Sequence, residues 1–203
     1  MKKLRNSIKI LLLILVISSC KNEKRDSIQK KFYYPNKTEF STNKTYKLIN
    51  LKSFENFGKL VDSLENLKYY LKKPYLKIKS NKEEFNIIVS TNFGGEVPSI
   101  HKFRNILSLN NDRVEKDRTY SISKLKKILK KDLENYGQND KFSESPKKLI
   151  VSVTSEMDKL EFLLLKICRT FNEIKGESSD TLELNIYLNR LTAIYPPPLK
   201  IEH

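Results

Sequence analysis

The sequence predicts an α/β (α+β) fold, a two-layer sandwich of helices packed on a mixed sheet of four or five strands. Three observations lead there. Residues 53–72, 123–136 and 156–175 carry apolar side chains at three- and four-residue spacing, the period of a helix with one buried face. Residues 75–79, 84–91, 148–154 and 181–188 alternate in the manner of strands. Over the last ninety residues these elements follow in the order helix, strand, helix, strand. That order implies at least one strand–helix–strand crossover, right-handed, with its two strands parallel.

Along the chain, Ser53 is a plausible N-cap for the first helix. Its stripe is Phe57, Leu60, Val61, Leu64, Leu67 and Leu71, and Pro74 stops it. In the next two segments Leu76 and Ile78, then Phe85, Ile87 and Val89, alternate with polar residues, and the intervening SNKEE suits a hairpin loop. Asn92-Phe93-Gly94-Gly95 reads as a turn. Residues 96–117 fit a short helix or a strand, with a turn at Asn110-Asn111-Asp112. Ser121 or Ser123 caps a helix to Tyr136, with Ile122, Leu125, Ile128, Leu129 and Leu133 inward and Gly137 closing it. Residues 148–154 are apolar on both faces, as a central strand would be. Ser155-Glu156-Met157-Asp158 resembles a capping box. It opens a helix with Leu160, Leu163, Leu164, Ile167, Cys168, Phe171 and Ile174 inward, ended by Gly176. In the final strand Leu182, Leu184, Ile186 and Leu188 face in.

The 203 residues carry a formal charge of +15, and 38% are hydrophobic, enough for one modest core. Lys, Asn, Ile and Ser are abundant, a bias that an AT-rich genome would also produce. Lys2, Lys3, Arg5 and Lys9 form a basic start, followed by the apolar run Ile10 to Ile17 and the small residues Ser18 and Ser19. The run is far shorter than the ~20 apolar residues of a membrane-spanning helix, and it has the size of a signal-peptide core.

Ile17-Ser18-Ser19-Cys20 resembles the lipobox of bacterial lipoprotein precursors. The resemblance implies cleavage before Cys20, a lipid with palmitate-type acyl chains on its thiol, and attachment to a membrane of the cell envelope. Two or three acyl chains hold stably where one would not, at ~0.8 kcal/mol per buried methylene. In the enterobacterial sorting rule, Lys21 in place of an Asp implies the outer membrane, facing the periplasm, if the host is Gram-negative. The expected organisation is residues 1–19 as signal, 20–45 as a lipidated polar tether, 46–195 as one domain and 196–203 as a Pro-rich tail. Loss of the four basic residues of the signal leaves +11. That balance favours anionic envelope partners over nucleic acid, which export puts out of reach.

EFNIIVSTNFGG, SISKLKKILKKDLENYG, KKLIVSVTS, DKLEFLLLKICRTFNEIKG and TLELNIYL together resemble the periplasmic domain of the ExbD/TolR family over residues 84–190. The resemblance implies an envelope adaptor or scaffold that can dimerise. The family's acidic transmembrane helix has no counterpart here, so its proton coupling is not carried over.

Candidate chemistry is sparse. With only His101 and His203, a histidine-based metal site would need unusual partners, and no metal or cofactor is expected. No Gly-x-Ser-x-Gly elbow precedes His101. Asn92-Phe93-Gly94-Gly95 lacks the Gly-Lys-Ser/Thr of a phosphate loop. Glu83, Glu84, Asp158 and Glu161 show no pairing as acid and base. Cys168 falls on an apolar stripe, where a cysteine acts as a small hydrophobe. The better-defined feature is the helix 123–136. Lys124, Lys126, Lys127, Lys130 and Lys131 lie opposite its apolar stripe at ~100° per residue, while Asp132 and Glu134 near its end oppose the helix dipole. Lys124, Lys127 and Lys131 are candidate contacts for an anionic partner, with a solvated lysine face as the alternative. The expected function is a non-catalytic binding or scaffold lipoprotein. The alternative is an exported hydrolase or transferase.

Overall fold

The computed structural model describes residues 30–42, 45–70, 72–91, 103–178 and 182–190. Cys20 and the signal segment, the Asn92–Gly95 turn, His101, His203 and the Pro-rich tail lie outside the described residues. No described helix is long and apolar enough to cross a membrane.

The described strands form one mixed sheet. They are β1 (Lys30–Tyr34), β2 (Tyr46–Ile49), β3 (Lys73–Ser80), β4 (Glu83–Thr91), β5 (Ile106–Asn110), β6 (Arg113–Glu115), β7 (Thr119–Ser121), β8 (Ile150–Thr154) and β9 (Asn185–Leu188). The order is β2-β3-β4-β9-β8-β5-β6-β7. Its middle, β4-β9-β8-β5, is parallel throughout; β6 and β7 extend one side in antiparallel fashion, while on the other β3 is antiparallel to β4 and β2 closes the edge in parallel with β3. β1 pairs in parallel with the first half of β4, so that β1 and β9 share one edge of that strand. The helices are α1 (Lys37–Thr42), α2 (Phe57–Tyr69), α3 (Leu125–Leu133) and α4 (Met157–Glu177). The α+β class holds, but the sheet has nine strands against the expected four or five. The surplus is physically intelligible. β6 and β7 are three residues long, too short to show a period, and only Val114 among their residues is buried.

Register sorts the side chains. Leu76, Ile78, Phe85, Ile87, Val89, Leu107, Leu109, Val114, Val151, Val153, Ile186 and Leu188 fall on one face. They share a single core cluster with Leu60, Val61 and Leu64 of α2, Leu125, Ile128, Leu129 and Leu133 of α3, and Leu160, Leu163, Leu164, Ile167, Cys168, Phe171 and Ile174 of α4. Cys168 is a free thiol within this core, and burial pushes its pKa up, as for an inert packing residue. On the opposite face Phe40 of α1 meets Tyr33, Tyr46 and Tyr75 in edge-on and stacked contacts.

Local chemistry moves several boundaries. Ser53 does not cap α2, because its hydroxyl donates to the Asn50 carbonyl. Instead the Asn56 side chain accepts from the Lys59 amide. The turn between β3 and β4 narrows to Asn81-Lys82, with Asn81 at φ 54°, a conformation asparagine tolerates. The capping box before α4 does not form. The Ser155 hydroxyl is engaged with Asn111 and with the Glu156 carbonyl, while the Asn111 side chain accepts from the Glu156 amide. A turn residue of the β5–β6 hairpin thus orients the start of α4.

The expected tether is also shortened from its far end. Residues 30–34 are a strand, and Tyr34 is almost wholly buried. Its ring packs edge-on against Phe171, and its hydroxyl donates to Asn172 Oδ1 at 2.9 Å. Phe32 stacks on Phe85 at 5.1 Å. The aromatic run Phe32-Tyr33-Tyr34 therefore serves both faces of the sheet. Because it sits among lysines, its alternation is too brief to read as a strand. Tyr34→Phe should cost about 1 kcal/mol for one lost hydrogen bond, and Tyr34→Ala about 3–5 kcal/mol. Urea unfolding measures both, and unchanged stability in Tyr34→Ala would return these residues to the tether.

Candidate anion-binding site

Lys126, Lys127, Lys130 and Lys131 lie in α3, and Lys124 ends the 3-10 turn Ile122–Lys124, capped by Ser121, that leads into it. The five lysines divide into two sets. Lys126 pairs with Glu173 at 3.2 Å and Glu177 at 2.9 Å, and Lys130 pairs with Glu177 at 2.9 Å and Glu134 at 3.7 Å. These two zip α3 to α4. Lys124, Lys127 and Lys131 occupy the other flank, at spacings of three and four, and meet no carboxylate at ion-pair distance among the described residues.

Those three lysines line one cavity of about 190 Å³ together with Arg118, Tyr120 and Ile128. Arg118 and Tyr120 come from the β6–β7 hairpin, so the cavity lies between that hairpin and α3. Two of its four cations rest on aromatic rings. The Arg118 guanidinium stands 5.0 Å from the Tyr120 ring centre, and the Lys131 ammonium 5.5 Å from that of Phe142. The Tyr120 hydroxyl donates to Asp117 at 2.7 Å, which fixes the ring on which Arg118 lies. Among the described residues no acid lines the cavity.

A buried ion pair holds the two walls together. Lys116 precedes Arg118 in the hairpin turn, and Asp132 follows Lys131 in α3. Their side chains are 1% and 0% exposed and 2.7 Å apart. The Lys116 ammonium also donates to the carbonyls of Arg104, at 2.6 Å, and Ile106, at 3.1 Å. Asp132 Oδ1 accepts the Ser143 amide at 2.8 Å, while Oδ2 is buried with no hydrogen-bond partner among the described residues. Burial pushes the Asp132 carboxyl up to about 6, against the pull of Lys116, and burial pushes Lys116 down despite Asp132. For both groups, loss of water outweighs attraction, the usual balance for a buried pair.

The loop after α3 completes the site through polar contacts. Asn135 donates to the Asn139 and Ser143 carbonyls. Asn105 accepts from the Ser143 hydroxyl and the Glu144 amide. Arg104 bridges Asp140 and Glu144. Held in this way, the loop sets Phe142 beneath Lys131.

Thus the structure brings Lys124, Lys127 and Lys131 into one cavity. It adds Arg118 and Tyr120, which the sequence reading missed, and separates Lys126 and Lys130. Cys20, the expected lipid site, lies outside the described residues. Among the described residues no group of three or more His, Cys, Asp or Glu side chains could hold a metal. Comparison with known proteins gives no match among family models, curated proteins or solved structures.

Two outcomes follow. Lys116→Met or Asp132→Leu alone strands a buried charge and should cost about 3–5 kcal/mol. The double variant should cost clearly less than the sum, yet remain destabilised, because three backbone groups lose their partners. Denaturant melts of the four proteins close the cycle, and additive losses would remove the coupling. Glu177 titrates at about 2, held down first by Lys130 and then by Lys126. The depressed value means that its link between α3 and α4 is fully present above the ordinary carboxylate range, and is lost as pH falls through about 2. Carboxyl carbon NMR should show this low value in the wild type and a return toward an ordinary one in the Lys126→Ala, Lys130→Ala double variant.

Proposed function

We propose that the chain is an exported lipoprotein, held to an envelope membrane by a lipid on Cys20, whose domain binds an anionic envelope component without catalysis. In a host with two membranes its place would be the outer membrane, facing the periplasm. The observation that carries the binding reading is the charge arrangement of the cavity. Arg118, Lys124, Lys127 and Lys131 line it with no acid among its described walls, whereas Lys126 and Lys130 of the same helix pair with Glu173 and Glu177 of α4.

Unneutralised cations gathered in a concavity raise the local concentration of anions. A merely solvated lysine face would have no need of a second cationic wall from another element. The basic start, short apolar run and Ile17-Ser18-Ser19-Cys20 support the address. The resemblance of residues 84–190 to the ExbD/TolR periplasmic domain supports the same adaptor-like, non-catalytic role.

Two experiments test the two halves. Metabolic labelling with a fatty acid should tag the wild type and not Cys20→Ala. Equal labelling and membrane partition of the two would reject the anchor. The chain from residue 21 onward should sediment with anionic vesicles or wall material at low salt and release at high salt, since such attraction is screened beyond ~8 Å at physiological ionic strength. Changing Lys124, Lys127 and Lys131 together to Gln should weaken this binding several-fold with an unchanged circular dichroism spectrum. Binding equal to wild type would return the lysines to solvent.

A further inference from the structure

We infer that the cavity between α3 and the β6–β7 hairpin is a receptor for a single phosphate monoester group, in preference to phosphodiesters and other singly charged anions. This rests on the anion-binding reading above and gives its ligand a chemical class.

Three features of the cavity lead to the phosphate monoester. The first is charge. Four cationic side chains surround a volume that no described carboxylate lines. A monoester brings close to two negative charges at neutral pH, and a diester or carboxylate brings one.

The second is the donor set. Arg118 offers a planar fork suited to two oxygens of one phosphate, and Lys124, Lys127 and Lys131 offer point charges from the facing wall. A monoester has three terminal oxygens to share among them, and a diester only two. The fork is also pre-positioned. Arg118 lies on the Tyr120 ring, which Asp117 anchors, and Lys131 lies over Phe142, so less rotamer freedom remains to be lost on binding.

The third is size. At about 190 Å³ the cavity falls below the ~300 Å³ at which pockets begin to take whole organic molecules. It suits one compact charged group, with the remainder of the ligand outside. Ile128 supplies its apolar contact, so that a covering group can exclude water from the ion pairs.

The phosphate could be borne by a lipid or by a soluble or wall-linked molecule, and the test separates these sources. The full-length chain in non-ionic detergent is titrated calorimetrically with methyl phosphate and with dimethyl phosphate. Methyl phosphate should bind with one-to-one saturation, and dimethyl phosphate at least tenfold more weakly. Arg118→Gln and, separately, Lys127→Gln should each weaken methyl phosphate about tenfold. Lys126→Gln, which faces Glu177, should leave its affinity unchanged.

Vesicles containing phosphatidic acid are then compared with vesicles containing phosphatidylglycerol. Preferential capture by phosphatidic acid, reversed by methyl phosphate, identifies a lipid-borne monoester. Methyl phosphate binding without such capture identifies a soluble or wall-linked one. Equal affinity for the mono- and dimethyl esters overturns the inference, as does wild-type affinity in Arg118→Gln. Salt-sensitive vesicle binding without saturable methyl phosphate binding overturns it too, while leaving the anion-binding proposal in place. Absence of both would remove both.

Discussion

A lysine and an aspartate, taken out of water together, organise the half of this domain that carries its candidate site. Lys116 reaches from the β6–β7 turn into the interior, satisfies two carbonyls at the head of β5, and meets Asp132 of α3. Asp132 in turn accepts the Ser143 amide and so fixes the loop that follows its own helix. Four successive segments of the chain are thereby held around one charge pair. Apolar contact alone would leave the hairpin weakly placed, since β6 and β7 bury only Val114 in the core, with Tyr120 partly buried against it. The pair supplies direction where burial supplies little area. Its cost is visible in the upward displacement of Asp132 and the downward displacement of Lys116, and its return is a fixed relation between two cationic walls.

The treatment of charge on α3 fits that arrangement. Nine residues of helix present three kinds of environment. Leu125, Ile128, Leu129 and Leu133 enter the core together with Asp132. Lys126 and Lys130 are absorbed by acids of α4. Lys124, just before the helix, joins Lys127 and Lys131 along the third flank, facing Arg118. Exposed pairs such as those to Glu177 contribute little individually to stability. Their larger effect is electrostatic, because they confine uncompensated positive charge to the flank that lines the cavity.

Much of this was legible in the sequence. The helix periods of α2, α3 and α4 and the alternation of β3, β4, β8 and β9 are long enough to read, and the lysine face of α3 follows from the same period. The ion pair was not read, although half of its signal is present. Leu125, Ile128, Leu129, Asp132 and Leu133 fall at i, i+3, i+4, i+7 and i+8, so Asp132 occupies a stripe position and is no dipole anomaly of an exposed face. Lys116, in the short polar run Glu115-Lys116-Asp117-Arg118, carries no such mark. Arg118 and Tyr120 belong to strands and turns too brief for any period. β1 was hidden by the lysines around it, and its place depends on parallel pairing with β4, a contact some fifty residues away in the chain.

The Lys116–Asp132 pair, more than general packing, fixes the hairpin against α3. Amide hydrogen exchange in Asp132→Asn, which keeps the shape and removes the charge, tests this most directly. Protection should fall selectively in residues 113–121 and 141–145, while the parallel block β4-β9-β8 stays protected as in the wild type. Unchanged protection in residues 113–121, or an equal loss throughout the domain, would contradict it.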